Sequence, residues 1–437
     1  MRLSLVLTLS ILAAGCGGSG TPSGATNEQA GGTNPVPGDV PVEAIACDAD
    51  NGGITLPPNF CAVVVASDLG AARHLVAREN GDIYVALRGD DGGVAVLRDT
   101  DGDARADFIQ QFGPAGGTGI DIHDGYLYFA TNTDVYRWEL GDGPLPPGDP
   151  ELVIAGFAAQ PSHASKSFAF MSDGDIVVNI GAPSNACQQT DRAFEDPGLD
   201  PCPMLETSGG IWRFAAGTGQ TPADGSRYAT GIRNGLALAM NPVNDRLYVV
   251  QHGRDQLSEL WPAHYTDEQR AELPAEELFA VDPGDDFGWP YCYYDQQQQR
   301  KVLAPEYGGD GQAVDRCAAA ENPVFAFPAH WAPNDLIFYN GDQFPQHYHN
   351  GAFVAFHGSW NRQPFVQQGY NVVFLPFNNG EVAGEFEVFA DDFAGVDDLR
   401  APGSARHRPT GLALAADGSL LVADSAAGRI WRIFYID

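Results

Sequence analysis

One local pattern recurs six times along the chain, and it limits the fold more than any other feature. Each copy is an apolar strand with period-2 alternation, a tight polar turn and a second alternating strand. A polar gap and an aromatic-apolar strand usually follow. The copies are HLVARENGDIYVALRG (74–89), GIDIHDGYLYFATNTDVYRWEL (119–140), KSFAFMSDGDIVVNIGAP (166–183) with GGIWRF (209–214), and NGLALAMNPVNDRLYVVQHG (234–253). A looser copy, DLIFYNGDQFPQHYHNGAFVAFHGSW (335–360) with GYNVVFLPF (369–377), precedes RPTGLALAADGSLLVADSAAGRIWRIF (408–434). Alternation closed by Asn-Gly, Asp-Gly and Asn-Asp turns is the mark of β-hairpins. At roughly 65 residues per copy there is room for long loops on a four-stranded unit. One such sheet cannot bury both of its faces, so the copies must stack around an axis. The expected fold is all-β, a six-bladed β-propeller over residues 46–437.

Two segments, 184–208 and 254–334, interrupt the repeat and are expected as loops on one rim, where sites usually lie. Helix is scarce. TDEQRAELPAEEL (266–278) is expected to form one or two turns, with Thr266 as N-cap and Pro274 limiting its length.

The amino end reads differently. Met1-Arg2 is a short basic start, and Leu3 to Ala14 is an apolar run too short to span a bilayer. It closes in Leu12-Ala13-Ala14-Gly15-Cys16, which resembles a bacterial lipoprotein signal peptide over residues 1–15, with Cys16 as the lipidated residue. Residues 16–45, rich in Gly, Thr, Pro and Asn, are expected to be a flexible tether. The protein is then exported and lipid-anchored to the bacterial envelope, touching the membrane only through that anchor. Six cysteines remain, an even number in an exported chain: Cys47, Cys61, Cys187, Cys202, Cys292 and Cys317. They fall into three local couples without CxxC or zinc-like spacing, so disulfides are expected; sequence alone leaves the pairing open.

Charge narrows the function classes. The formal net charge is −33, which excludes a nucleic-acid or anionic-membrane surface. Only two of the 24 basic residues are lysines, Lys166 and Lys301. Several arginines fall in polar groups read as strand starts: 160–163, 231–234, 251–255, 357–362 and 406–409. In a propeller the first residues of the innermost strands ring the channel mouth. Arginines clustered there, in a chain dominated by carboxylates, suit a bound polyanion through bidentate pairing.

The order of GIRNGLALAMNP (231–242), FGWPYC (287–292), AHWAP (329–333), HGSWNR (357–362) and the closing 408–433 repeat resembles the quinoprotein sugar dehydrogenases of the soluble glucose and sorbosone dehydrogenase type. The resemblance covers roughly residues 55–437. It implies pyrroloquinoline quinone and calcium at the channel mouth, and oxidation of a sugar or sugar-derived alcohol or aldehyde. It also implies a separate electron acceptor, which the sequence does not identify. By the same resemblance His163 is the catalytic base, and Arg233 with Asn234 meets the cofactor, Arg233 polarising a quinone oxygen. Gly253 and Arg254 lend backbone carbonyls to calcium, and Arg406 with Arg408 clamps cofactor carboxylates. Members that oxidise glucose carry an acid before the catalytic histidine, where this chain has Ser162. They also carry a pocket lysine, for which His357 or Arg362 is the expected substitute.

A second metal candidate does not depend on the resemblance. Asp99, Asp101, Asp103 and Asp107 repeat the early oxygen positions of EF-hand-type calcium loops, although Ala104 stands where glycine is usual and Gln110 where glutamate is usual. Two rival classes remain open: a glycan- or protein-binding propeller without catalysis, and a calcium-dependent lactonase-like hydrolase, which needs acidic rather than basic channel residues.

Overall fold

The computed structural model describes residues 45–436, so the expected signal peptide, Cys16 and nearly all of the tether lie outside the described residues. Six four-stranded antiparallel sheets form the blades. Blade 1 runs Ala72–Ala77, Ile83–Leu87, Gly93–Arg98, Phe108–Phe112, and blade 2 runs Gly117–His123, Tyr126–Thr131, Asp134–Glu139, Glu151–Ala155. Blade 3 is Phe168–Phe170, Ile176–Ile180, Gly210–Phe214, Ser226–Thr230; blade 4 is Ala237–Asn241, Arg246–Gln251, Glu276–Val281, Phe325–Phe327. Blade 5 is Pro333–Phe338, Ala352–Phe356, Asn371–Leu375, Glu387–Ala390. The six repeats are the six inner hairpins.

Blade 6 holds a feature the repeats do not show. It takes three strands from the carboxyl end, Pro409–Leu414, Leu420–Asp424 and Ile430–Tyr435, and its outer strand, Phe60–Ala66, from the amino end. The ring is closed by backbone hydrogen bonds between the two ends of the propeller. Phe60 anchors this closure, with its ring centroid 4.8–5.5 Å from those of Phe344, Tyr348, Phe389 and Tyr435.

The expected short helix forms: it spans Asp267–Glu272, is capped by Thr266 and ends before Pro274, and a shorter turn forms at Leu257–Leu260. Glu276–Val281 is instead a strand buried at every position. Its two glutamates disguise it, because both are matched inside: Glu276 accepts from the Gly253 and Ala332 amides, and Glu277 from Gln251 and Lys301. The 254–334 insert therefore carries two strands of blade 4, Glu276–Val281 and Phe325–Phe327, with loops before and between them. Three disulfides pin the loops and the closing strand: Cys47–Cys61, Cys187–Cys202 and Cys292–Cys317.

Closure should dominate stability. Phe60→Ala removes the ring around which four aromatics pack and should cost about 3–5 kcal/mol. The measurement is the urea midpoint of the purified protein, and an unchanged midpoint contradicts the anchoring role.

Candidate active site

In an antiparallel meander the start of the first strand and the end of the second lie at the same end of the blade. The mouth is built from both. Residues 160–163, 231–234 and 406–408 precede inner strands, as expected. Residues 251–255 and 357–362 instead follow the second strands of blades 4 and 5, and reach the mouth for that reason.

His163 sits in a loop shaped by Gln160, whose side-chain amide donates to the carbonyls of Ser162, His163 and Gly181 at 2.8 Å each. The residue adopts φ 51°, a left-handed conformation rarely held by anything but glycine and common at functional sites. Its Nδ1–H donates to the Ala182 carbonyl at 2.6 Å, which leaves Nε2 as the free acceptor. Gly181 is needed for this packing, since a Cβ there would lie 2.7 Å from His163 Cβ and 2.8 Å from Asn234 Oδ1. Burial, then the positive charge of Arg233, lowers the imidazole to about 3. At neutral pH the ring is therefore unprotonated.

Arg233 is buried and engaged by the protein itself. It donates to the carbonyls of Asn185 and Gly253, the latter at 2.8 Å, to Asn185 Oδ1 at 3.1 Å, and to Asp255 Oδ2 at 2.9 Å. Asp255 is the hub of the rim. Its carboxylate also accepts from Arg192 at 2.8 Å and from Asn361 at 2.7 Å, so three separate loops meet on one group. Burial alone would raise this carboxyl; Arg233 and Arg192 hold it well below the usual range. Asn234 lies beside His163, its Oδ1 accepting from Asn179 at 3.2 Å.

The other side of the mouth comes from blades 5, 6 and 1. Arg408 stacks 5.4 Å over the Tyr370 ring and donates to the carbonyls of His357 (3.0 Å) and Gly358 (2.7 Å). His357 Nε2 pairs with Ser425 Oγ at 2.8 Å, and burial, Arg408 and Arg73 push its ring well below the ordinary value. Arg73, from the start of blade 1, is buried with no hydrogen-bond partner for its Nε. Burial and then Arg88 pull its guanidinium down to about 10, with Arg408 adding to the effect. His252, Nε2–H on the Pro333 carbonyl at 2.7 Å, joins the two halves and is lowered to about 4, chiefly by burial. Around one opening the fold therefore gathers His163, Arg233, His252, Arg73, Arg88, His357 and Arg408, crowded cations beside neutral imidazoles.

Several expected residues are elsewhere. Arg406 is exposed and lines a groove of about 490 Å³ with Asp48, Asp50 and Asp392, away from the channel. Arg362 is buried among the carbonyls of Ala271 and Val366 and the Glu272 carboxylate, tying its loop to the short helix. The Gly253 carbonyl accepts from Arg233, and the Arg254 side chain forms a buried ion pair with Glu306. Asp99, Asp101 and Asp103 bring ligand atoms within 4.8 Å of one another in the loop between the outer strands of blade 1, but Asp107 is not with them, being bound by Thr100. Ala104 takes φ 68° there, the conformation for which glycine is usual. Arg88 was legible by position, since it follows the second strand of blade 1 as His357 follows that of blade 5; Arg73 lies inside the first strand of blade 1, where no motif marks it.

The family model described as TrAA12-like matches residues 54–435. The chain belongs to the TrAA12-like family. Over 358 residues this TrAA12-like chain is 24% identical to a pyrroloquinoline quinone-dependent pyranose dehydrogenase of Coprinopsis cinerea, an alignment covering 72% of the chain and 46% of that relative. The chain spans less than half the length of the curated relatives it matches. Among solved structures it resembles the Trichoderma reesei carbohydrate-active enzyme of family AA12 (TM-score 0.71, 18% identity, 88% of this chain and 98% of that one). It also resembles the holo form of the pyranose dehydrogenase PQQ domain from Coprinopsis cinerea (TM-score 0.68, 18% identity, 87% and 97%). These likenesses carry the propeller fold.

The depressed imidazoles have a testable consequence. His163 and His252 have folded values of about 3 and 4, against 6.5 in the unfolded chain. Between those limits only the unfolded chain takes up protons, so their contribution is complete above pH 6.5 and is lost as the pH falls towards 4. Histidine-ring NMR should find both rings unprotonated at pH 5, and the acid loss of stability should be shallower in His163→Gln. A ring midpoint near 6.5 for either residue contradicts the assignment.

Proposed function

We propose that the protein is an exported quinoprotein sugar dehydrogenase, using pyrroloquinoline quinone to oxidise an aldose or related pyranose at a C–OH carbon. The observation that carries this reading is the mouth itself: a crowd of arginines in a strongly acidic protein, next to an imidazole held neutral. The residues fit a tricarboxylate. Arg73, Arg88 and Arg408 lie close enough for their charges to oppose one another, none of them forms an ion pair among the described residues, and the buried Nε of Arg73 has no partner. They would hold the carboxylates of the cofactor. When bound, the quinone supplies a two-electron hydride acceptor.

The residues of the chain supply the rest. His163 Nε2, unprotonated and free, is the base for the sugar hydroxyl proton, and its Nδ1–H bond to Ala182 keeps it in that tautomer. Arg233, fixed by Asp255 and Asn185, keeps the ring neutral until it takes up that proton. Calcium does not fit these residues in the same way. The Gly253 carbonyl is already bonded to Arg233, and both Asp255 oxygens are engaged by Arg192, Arg233 and Asn361. The three disulfides support an oxidising compartment, and the lipid anchor at Cys16 remains part of the proposal. The cationic mouth speaks against the lactonase-like alternative, which needs oxygen ligands there.

Purified protein reconstituted with pyrroloquinoline quinone should gain the quinone absorbance and lose it on adding an aldose; no reduction by any of a panel of aldoses overturns the reading. A charge-assisted hydrogen bond contributes about 1.5–3 kcal/mol, so the Arg73→Ala, Arg408→Ala double variant should lose on the order of 10²–10⁴ in cofactor affinity. Arg406→Ala should leave it unchanged. His163→Gln should keep the affinity and lose about 10²–10⁴ in turnover. Equal cofactor affinity in the double variant, measured by calorimetry, removes the arginines from the site.

A further inference from the structure

The inner strands enclose a second space below the arginine mouth, lined by none of its arginines. A cavity of about 420 Å³ runs along them toward the opposite end of the propeller, where its lining includes Ala77, His123, Phe170 and Asn340. Two carboxylates, Asp121 of blade 2 and Asp335 of blade 5, line it, and no arginine or lysine does. Asp121 accepts only from the adjacent Ile122 amide, at 2.8 Å. Asp335 accepts from the Leu336 and Leu412 amides, and its nearest ionisable partner is His74 Nε2 at 3.9 Å. That imidazole already donates to the Asn334 carbonyl at 2.7 Å and is lowered to about 3, so it carries no charge. Arg73, on the mouth side, reaches Asp335 through its field alone. Burial pushes Asp335 up to about 7 and Asp121 to about 6, and the field of Asp335 adds to the rise at Asp121. His123, stacked on Phe170 with centroids 4.1 Å apart, is the remaining titratable group in the wall.

A third observation points to a ligand. Ser167 lines the same cavity, is 1% exposed, and its hydroxyl has no hydrogen-bond partner. The remaining wall is largely aliphatic and aromatic, with Phe168, Phe170 and Phe338 facing the space together with Met240. A bare metal ion suits this poorly. Among the described residues the one set of three acidic or histidine ligands close enough to share an ion is Asp99, Asp101 and Asp103, outside this cavity. An apolar chamber with separated carboxylates and aromatic faces suits a cation that is itself largely apolar.

We infer that the central channel is a binding site for a small aliphatic diammonium ion, entered from the face opposite the arginine mouth. One ammonium meets Asp121 and the other Asp335, the alkyl spacer lies along the aromatic wall, and the Ser167 hydroxyl gains its missing partner. The site uses none of the residues assigned to the sugar or the cofactor, so it stands whether or not the oxidation chemistry does.

The test is calorimetric titration of the full chain, without cofactor, using putrescine as the probe and calcium chloride as the competitor. One saturable site is expected, with affinity falling at least tenfold in Asp121→Asn, a side chain that supports only its neighbouring amide. Ser167→Ala should weaken binding by a smaller factor, and Arg408→Ala should leave it unchanged. Circular dichroism and the thermal midpoint of each variant separate lost binding from lost fold. Should Asp121→Asn fail to fold, Ser167→Ala decides: an unchanged putrescine affinity there overturns the assignment. Absent putrescine binding, equal affinity in a folded Asp121→Asn, or displacement of putrescine by calcium at equimolar concentration overturns it as well.

Discussion

Blade 6 is completed by a strand from the other end of the propeller, and everything at the mouth depends on that closure. Phe60–Ala66 pairs with Ile430–Tyr435, which fixes blade 6 against blade 1. Arg408 and Arg73 belong to those two blades and are far apart in sequence. They influence each other only because the ring is shut. Without the seven-residue strand, blade 6 would expose an unpaired edge and the cationic half of the mouth would have no fixed geometry.

A protein of net charge −33 keeps its arginines at the mouth by two means. Some are tied to carbonyls and carboxylates that set their position: Asp255 draws Arg233, Arg192 and Asn361 together from three loops. Others, Arg73 above all, are left short of partners and bear a desolvation cost that an anionic ligand would relieve. The same burial that strains the arginines keeps the histidines neutral. One environment therefore sets crowded cations beside neutral imidazoles.

The same strands that converge on the mouth also line the channel below it, where the sign of the charge is reversed. Asp335 belongs to both regions. Its side chain bonds across to the inner strand of blade 6 through the Leu412 amide, and Arg73 lies on its mouth side. The propeller axis thus carries cations at the mouth and carboxylates in the channel below it.

The sequence by itself determined the six inner hairpins, because period-2 alternation and tight-turn residues act over a few neighbours. It also placed His163, Arg233 and Arg408 before inner hairpins, through their local motifs. What it concealed depended on contacts distant along the chain. Glu276–Val281 read as polar loop until Gly253, Gln251, Ala332 and Lys301 supplied partners for its glutamates. Arg406 and Arg408 share a motif, yet one lies in an outer groove and the other faces the mouth, because only Arg408 reaches the carbonyls after the second strand of blade 5. Arg362 was equally plausible in sequence, and the short helix captured it. Which arginine faces the axis is decided by ring closure and by competing hydrogen-bond acceptors, and those exist only in the folded chain.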